Sequence, residues 1–85
     1  MPELRFPRRA KQDLFDLPPT IREAVLETVD LIAREPELAG KQLVGRLSGL
    51  WSTRVGNYRV LYTIEPSQSI VRAIRHRVVA YNRPE

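Results

Sequence analysis

The stretch WSTRVGNYRVLYTI, residues 51–64, is rich in β-branched and aromatic residues on both sides of a Gly56-Asn57 pair. Residues of these kinds favour strands. A two-residue Gly-Asn connection supplies the positive φ that a tight hairpin needs. The sequence therefore predicts two antiparallel strands, over residues 50–55 and 58–65, joined by a β-hairpin turn.

A third strand is predicted after the hairpin. Residues 65–69, EPSQS, are typical of a turn, and residues 70–76 again read as a strand. Strict alternation leaves two phases open for this strand. Ile70 and Ile74 favour one of them, with Arg75 and Arg77 pointing outward, whereas Val71 and Ala73 favour the other. We prefer the first phase, because isoleucine is buried more consistently than alanine.

The same alternation divides the second hairpin strand into two faces. The more apolar face should pack on the helices and holds Tyr58, Val60, Tyr62 and Ile64. Arg59 lies on the opposite face. Arg54, in the first hairpin strand, should point the same way, because its neighbours Thr53 and Val55 are the more apolar set. The sequence thus predicts that Arg54 and Arg59 are near neighbours, and the hairpin register decides whether they lie directly on one face.

The first half of the chain predicts two helices after a short extended segment at residues 3–6. Pro7 suits the first turn of a helix, which should run to about Asp16 with the apolar stripe Ala10, Leu14 and Leu17. Pro18-Pro19 ends it. The sequence TIRE, residues 20–23, predicts a capping box that opens the second helix, which ends at Glu35-Pro36. Its inner face is predicted to hold Ile21, Val25, Val29 and Ile32, widened by Leu26 and Ala33.

These elements predict the α+β class, in the order β-α-α-β-β-β. A helical hairpin should cover one face of an antiparallel sheet and leave the other face open, where functional residues are expected. We expect residues 1–85 to form a single domain, because a chain of this length has no surface to spare for a second core.

The amino-acid composition limits which sites and segments the chain can contain. The chain has no Cys and a single His, so we expect neither a metal site nor another cofactor. Its longest apolar run, residues 78–81, is too short to cross a membrane or to direct export. We therefore expect a cytoplasmic protein, in keeping with the absence of cysteine.

The positive charge is concentrated in the second half. Residues 1–40 hold six Lys or Arg and eight Asp or Glu, whereas residues 41–85 hold eight Lys or Arg and two Glu. Twelve of the fourteen basic residues are Arg, whose planar fork binds phosphate with two hydrogen bonds. This pattern fits a polyanionic partner such as nucleic acid. By itself it fits an ordinary solvated basic surface equally well.

Three of these arginines have a tyrosine within reach. Arg54, Arg59 and Arg77 could hold a phosphate beside the phenol of Tyr81, a set that suffices for RNA cleavage without a metal. His76 is the alternative acid or base. On residue types alone the structural alternatives carry more weight: exposed arginines are usually just solvated, an aromatic usually packs, and a lone histidine is usually structural.

Two longer stretches carry a family resemblance. Residues 47–64, LSGLWSTRVGNYRVLYTI, and residues 74–81, IRHRVVAY, together with DLFDLP at residues 13–18, resemble the RelE/ParE superfamily of bacterial toxins. The resemblance covers nearly the whole chain, and the family has the element order predicted above.

The resemblance implies the toxin of a type II toxin–antitoxin pair, with a protein antitoxin as its partner. RelE-like members bind the ribosomal A site and cut mRNA there, so ribosome and mRNA are the other expected partners. Matched by position, Arg54 and Arg59 would hold and neutralise the scissile phosphate. Arg77 would stabilise the charge on the phosphate or protonate the leaving oxygen. Tyr81 would orient or deprotonate the 2′-hydroxyl. The further RNA-binding residues that we predict are Lys41, Arg46, Arg75, His76 and Arg83.

Two alternatives stay open. A ParE-like protein would inhibit DNA gyrase without catalysing a reaction, but the arginines with Tyr81 favour the nuclease. A weakly active relative that mainly binds antitoxin is the other alternative. It arises because Ser52 stands where RelE-like members often carry a further basic residue, directly after the aromatic.

Overall fold

Prolines and glycines divide the chain into short elements in the computed structural model, which describes residues 3–76 apart from the side chain of Leu47. The helices are α1 (Arg8–Phe15), α2 (Pro19–Arg34) and α3 (Pro36–Ala39), followed later by a 3-10 turn at Gly45–Leu47. The strands are β1 (Glu3–Arg5), β2 (Lys41–Gln42), β3 (Trp51–Val55), β4 (Tyr58–Ile64) and β5 (Gln68–His76). The α+β class is confirmed, and α3, β2 and the 3-10 turn are additions to the predicted order.

The five strands form one mixed sheet in the order β1-β5-β4-β3-β2. The hairpin of β3 and β4 and the pairing of β4 with β5 are antiparallel, as predicted. The expectation of a wholly antiparallel sheet is wrong at one edge, since β1 runs parallel to β5. The long segment between these two strands, which includes all three helices, leaves the chain free to return in either direction.

Helices α1 and α2 cover one face of the sheet. Their apolar stripes and the inward residues of the strands form one core, made of Ala10, Leu14, Leu17, Val25, Val29, Ile32, Val55, Val60, Tyr62, Val71 and Ile74. The predicted stripes are thus confirmed, except that Leu26 is 46% exposed and Ala33 is not among the residues packed on the core, so neither widens the second stripe. None of the described helices is long and apolar enough to cross a membrane.

The predicted capping box is wrong. Helix α2 begins at Pro19, one residue before Thr20, and its N-cap is Pro18, with no side chain bonded to the first turn. Proline is favoured in the first turn because it lacks the N–H that would need a partner there. Thr20 therefore lies inside the helix, past the position from which a hydroxyl can cap it.

A β-bulge changes the alternation of β5. Leu61 of β4 pairs with Ala73, but the next residue, Tyr62, pairs with Val71, so Arg72 is an extra residue in β5. An extra residue shifts the side-chain alternation by one position, so the two ends of the strand follow different phases.

The bulge explains why neither predicted phase of β5 holds throughout. Val71 and Ile74 both contact the helices, although they are three residues apart. Ile70 is buried, as predicted, but it pairs with Thr63 on the opposite face, so its predicted packing against the helices is wrong. Beyond the bulge the preferred phase is right, because Arg75 pairs with Arg59 on the face away from the helices.

A buried tyrosine joins the sheet to α3. The Tyr62 hydroxyl donates a hydrogen bond of 2.7 Å to the backbone oxygen of Pro36, and its ring stacks with that of Trp51 at a centroid distance of 6.3 Å. Burial raises the pKa of Tyr62 to about 12. The Tyr62 hydroxyl is thus a neutral donor near neutral pH, and it fixes the start of α3 against the sheet.

Gly40 links α3 to β2 at a close approach of two backbones. A Cβ atom placed there would lie 2.5 Å from the Ser52 carbonyl oxygen and 2.8 Å from the Tyr62 hydroxyl. These separations are far shorter than carbon–oxygen van der Waals contact. The chain therefore requires glycine at this position for steric reasons, so that β2 can pair with β3.

We predict that Tyr62→Phe lowers stability by about 1–2 kcal/mol at pH 7, because the Pro36 carbonyl loses its donor. The substitution should also make the free energy of unfolding depend less on pH at high pH. The unfolded chain loses the Tyr62 proton near pH 10 and the folded chain only near pH 12. Wild-type stability should therefore fall by about 2 kcal/mol over that interval through this group. Urea unfolding of both proteins from pH 7 to pH 12 measures the difference between their free energies of unfolding. The other titrating groups contribute equally to both proteins, so their contributions cancel in this difference.

We predict that Gly40→Ala lowers stability by about 1–3 kcal/mol, as expected when an atom is forced into a filled space. Thermal unfolding measures the loss. Gly49→Ala is the comparison, because a Cβ at Gly49 meets nothing within 4 Å and only its φ of +97° is unfavourable. A smaller loss for Gly40→Ala than for Gly49→Ala would contradict the steric account.

Candidate functional site

The hairpin register places three arginines in one row across the sheet. Arg54 of β3 lies directly opposite Arg59 of β4, and Arg59 lies directly opposite Arg75 of β5. Directly opposed residues of antiparallel strands project from the same face, with Cα atoms roughly 4.5–5.5 Å apart. We call this face, which is opposite to the helices, the arginine face. The predicted proximity of Arg54 and Arg59 is confirmed.

Arg75, at one end of the row, is paired within the fold. Its Nη1 donates to the Asp13 carboxylate on α1, and the same carboxylate oxygen accepts the backbone N–H of Ile74 at 3.0 Å. Both side chains of the ion pair are partly shielded from water, which strengthens their attraction. The charge of Arg75 is thus largely balanced by Asp13.

Arg54 and Arg59 lie at the other end of the row, beside an open cleft of about 570 Å³. The cleft runs between α3, β2 and the hairpin, and its lining residues are Leu38, Ala39, Gly40, Lys41, Leu43, Ser52, Thr53, Arg54 and Arg59. No acidic side chain is among these described lining residues. Three cations therefore border a concave surface of the size that a nucleotide unit occupies.

Lys41 places a positive charge next to the uncharged Ser52. The register pairs Lys41 of β2 with Ser52 of β3, which places both on the arginine face. The cation that is absent at Ser52 is therefore supplied by the neighbouring strand. The cleft thus holds three positive charges without a basic residue at that position.

Opposed arginines in adjacent strands repel each other, which works against the pairing of β3 with β4. Arg54 is exposed, and the only hydrogen bond of its side chain within the described chain is a long one, 3.5 Å from Nε to the Gly56 carbonyl oxygen. A phosphate placed between the two guanidinium groups would relieve the repulsion and accept forked hydrogen bonds from them. The geometry is therefore suited to a phosphate group.

Two further predicted site residues, Arg46 and His76, do not line the cleft. Arg46 lies exposed in the 3-10 turn and is not part of its lining. His76 pairs with Tyr58, and the two rings meet edge to face at 5.3 Å, which places His76 on the face opposite to the arginine row. The other three predicted residues, Arg77, Tyr81 and Arg83, lie outside the described residues.

A second basic pocket was not predicted from the sequence. We call it the edge pocket: about 390 Å³ between the start of α1 and the edge of β5, lined by Pro7, Arg8, Arg9, Asp13, Arg72 and Arg75. Arg8 and Arg9 belong to the half of the chain with an acidic balance, which concealed their grouping. The signal that could have found them is the pair of adjacent arginines directly after Pro7.

Comparison with known proteins agrees with the resemblance. The family model described as the ParE toxin of the type II toxin–antitoxin system, parDE, matches residues 4–81. Toxin RelG of Mycobacterium tuberculosis is 41% identical over 83 residues, which are 94% of this chain and 95% of RelG.

Solved structures give the same result. The toxin–antitoxin complex RelBE2 of Mycobacterium tuberculosis contains a chain with a TM-score of 0.80 and 38% identity, covering 91% of this chain and 100% of that one. The isolated Escherichia coli RelE toxin, at 18% identity and a TM-score of 0.73 over 89% of this chain and 84% of its own, shares the fold. Together with the family model and RelG, these matches show that the chain belongs to the RelE/ParE superfamily of toxins of type II toxin–antitoxin systems.

Proposed function

We propose that this protein is a ribosome-dependent endoribonuclease that cuts mRNA in the ribosomal A site and so inhibits translation. The observation that carries the proposal is the cleft bordered by Lys41, Arg54 and Arg59, because it gathers positive charge where a phosphate group fits. The 41% identity to a protein named Toxin RelG supports it.

The chemistry that the cleft supports is attack by a ribose 2′-hydroxyl on the adjacent phosphate. The bond between the 2′-oxygen and phosphorus forms while the bond from phosphorus to the 5′-oxygen breaks, which leaves a 2′,3′-cyclic phosphate and a 5′-hydroxyl. Negative charge builds on the phosphate oxygens during this step. Guanidinium and ammonium groups already in place stabilise that charge more than they stabilise the bound RNA, and this difference accelerates the reaction.

The proton must leave the 2′-hydroxyl and reach the 5′-oxygen. Neither tyrosine of the described sheet suits the first transfer: Tyr62 is buried with its pKa raised to about 12, and Tyr58 faces the helices. Tyr81, which the family resemblance matches to this role, stays the proposed residue that orients or deprotonates the 2′-hydroxyl. Arg77 keeps its proposed role of stabilising or protonating the leaving oxygen.

The partners follow from the same proposal. We propose a cognate protein antitoxin, an interaction that is supported by the RelBE2 relative, which is a toxin–antitoxin complex. Ribosome and mRNA are the proposed targets, the cytoplasm is the proposed site of action, and residues 1–85 are proposed to act as one domain. Contacts of RNA with Arg46, Arg75, His76 and Arg83 stay predictions.

The proposal is tested by primer extension on an mRNA that is being translated in vitro. We expect new stops at A-site codons that require the ribosome. Arg54→Gln and Arg59→Gln should each lower the cleavage rate by about 100-fold, the effect of removing one group that stabilises transition-state charge. Arg77→Ala and Tyr81→Phe should also abolish cleavage with the fold intact.

Two controls make this result specific. Arg34→Gln removes a cation from α2 and should leave cleavage unchanged, because Arg34 pairs with Asp30 on the helix surface. Arg54→Gln should unfold no more easily than the wild type, because it removes a repulsive pair. Growth inhibition without new stops would reject the nuclease and favour the ParE-like alternative, with gyrase activity as the next assay.

The contribution of Lys41 is a separate prediction. We expect Lys41→Gln to lower the rate of A-site cleavage by about tenfold and Lys41→Arg to retain it, because Lys41 is the cation directly opposite Ser52 in the described cleft. The same primer-extension assay measures both variants. Equal loss in the two would mean that the lysine acts through its shape or strand pairing and not through its charge.

A further inference from the structure

The residues that line the edge pocket carry more positive than negative charge. Among the residues that the structure describes, four arginines line it and Asp13 is its one acidic residue. Asp13 is already engaged by Arg75 and by the N–H of Ile74. Its carboxylate is therefore not free to balance Arg8 and Arg9.

The bulge delivers one of these arginines to the pocket. Arg72, the extra residue of β5, is held in place by the Thr63 hydroxyl, 3.1 Å from its Nε, and by the Glu65 carboxylate at 3.7 Å. These contacts fix the side chain at the rim of the pocket while nearly half of it stays exposed. A bulge commonly redirects a side chain in this way near a functional site.

Arg8 and Arg9 come from the first turn of α1. Both are exposed, and neither side chain forms a hydrogen bond or an ion pair with another described residue. The first turn of α1 contains no acidic residue and no side-chain cap, so the partial positive charge of the helix end adds to theirs. The pocket thus combines two uncompensated guanidinium groups with a positive field from the backbone.

The arginine row joins the edge pocket to the cleft. Arg59 lines the cleft, Arg75 lines the edge pocket, and the two are directly opposed in adjacent strands. The sites are therefore separated by a few strand spacings, each of about 5 Å. A single extended strand of nucleic acid crosses such a distance within a few nucleotides.

We propose that the edge pocket binds a second backbone phosphate of the same RNA strand whose scissile phosphate occupies the cleft. The proposal rests on the proposed function for the position of the scissile phosphate. It adds a positioning site on residues that take no part in the reaction, Arg8, Arg9 and Arg72. Binding there fixes the direction in which the strand runs across the arginine face.

The test measures binding of single-stranded RNA whose ribose at the cleavable position is replaced by deoxyribose. Arg8→Gln combined with Arg9→Gln should weaken binding of an eight-nucleotide strand by about tenfold, the effect of losing charge-assisted contacts. Binding of a dinucleotide, which fills the cleft alone, should not change. The slope of affinity against salt concentration should fall by about 0.7 for each phosphate contact that is lost.

The control is Lys11→Gln combined with Arg34→Gln, which removes the same charge from exposed helical positions outside both pockets. Equal weakening by the control pair, or weakening of both RNA lengths alike, would overturn the proposal, because either result indicates a diffuse electrostatic effect. Tighter binding of a poly-glutamate peptide than of RNA, with the same dependence on Arg8 and Arg9, would overturn it in favour of an acidic protein partner.

Failure of the edge pocket is distinguishable from failure of the proposed function. Ribosome-dependent cleavage with no length-dependent binding loss in the Arg8 and Arg9 variant rejects the pocket and keeps the nuclease. The length-dependent loss without cleavage supports the pocket as an RNA site and rejects the nuclease.

Discussion

The two-residue turn at Gly56-Asn57 is the constraint on which the rest of the sheet depends. Gly56 adopts a φ of +59°, the conformation that a tight hairpin turn requires and that glycine tolerates best. This turn sets Arg54 opposite Arg59, and by the same register it sets Trp51 opposite Tyr62. A slip of one residue would exchange the two faces, which would place the arginines in the core and the aromatic pair outside it.

The three like charges of the arginine row would repel one another and destabilise the sheet if none of them were paired. Asp13 resolves this at one end, because its carboxylate neutralises Arg75 and also accepts the Ile74 N–H at the strand edge. One side chain of α1 thus supports the sheet and balances the charge of Arg75 at that end of the row. Arg54 and Arg59 lie opposite each other at the other end of the row, beside the cleft.

Much of this could be predicted from local sequence patterns. The helical stripes and the hairpin follow from periodicity and turn chemistry within short windows, and both are confirmed. The phase of β5 could not be predicted, because the bulge at Arg72 depends on the pairing of two strands and has no local signature. The pairing of β1 with β5 and the grouping of Arg8 with Arg72 are equally nonlocal, since each joins residues from opposite ends of the chain.

The cleft has a positive charge beside Ser52 although Ser52 itself is uncharged. Ser52 is uncharged, and its place in the sequence alone indicated a weakened site. Register shows that Lys41 projects from the same face directly opposite, through a strand of two residues. That strand forms only because Gly40 lets the backbones approach closely. A glycine with no chemistry of its own therefore places a cation of the candidate site, and a reading of the residues by type alone cannot detect this.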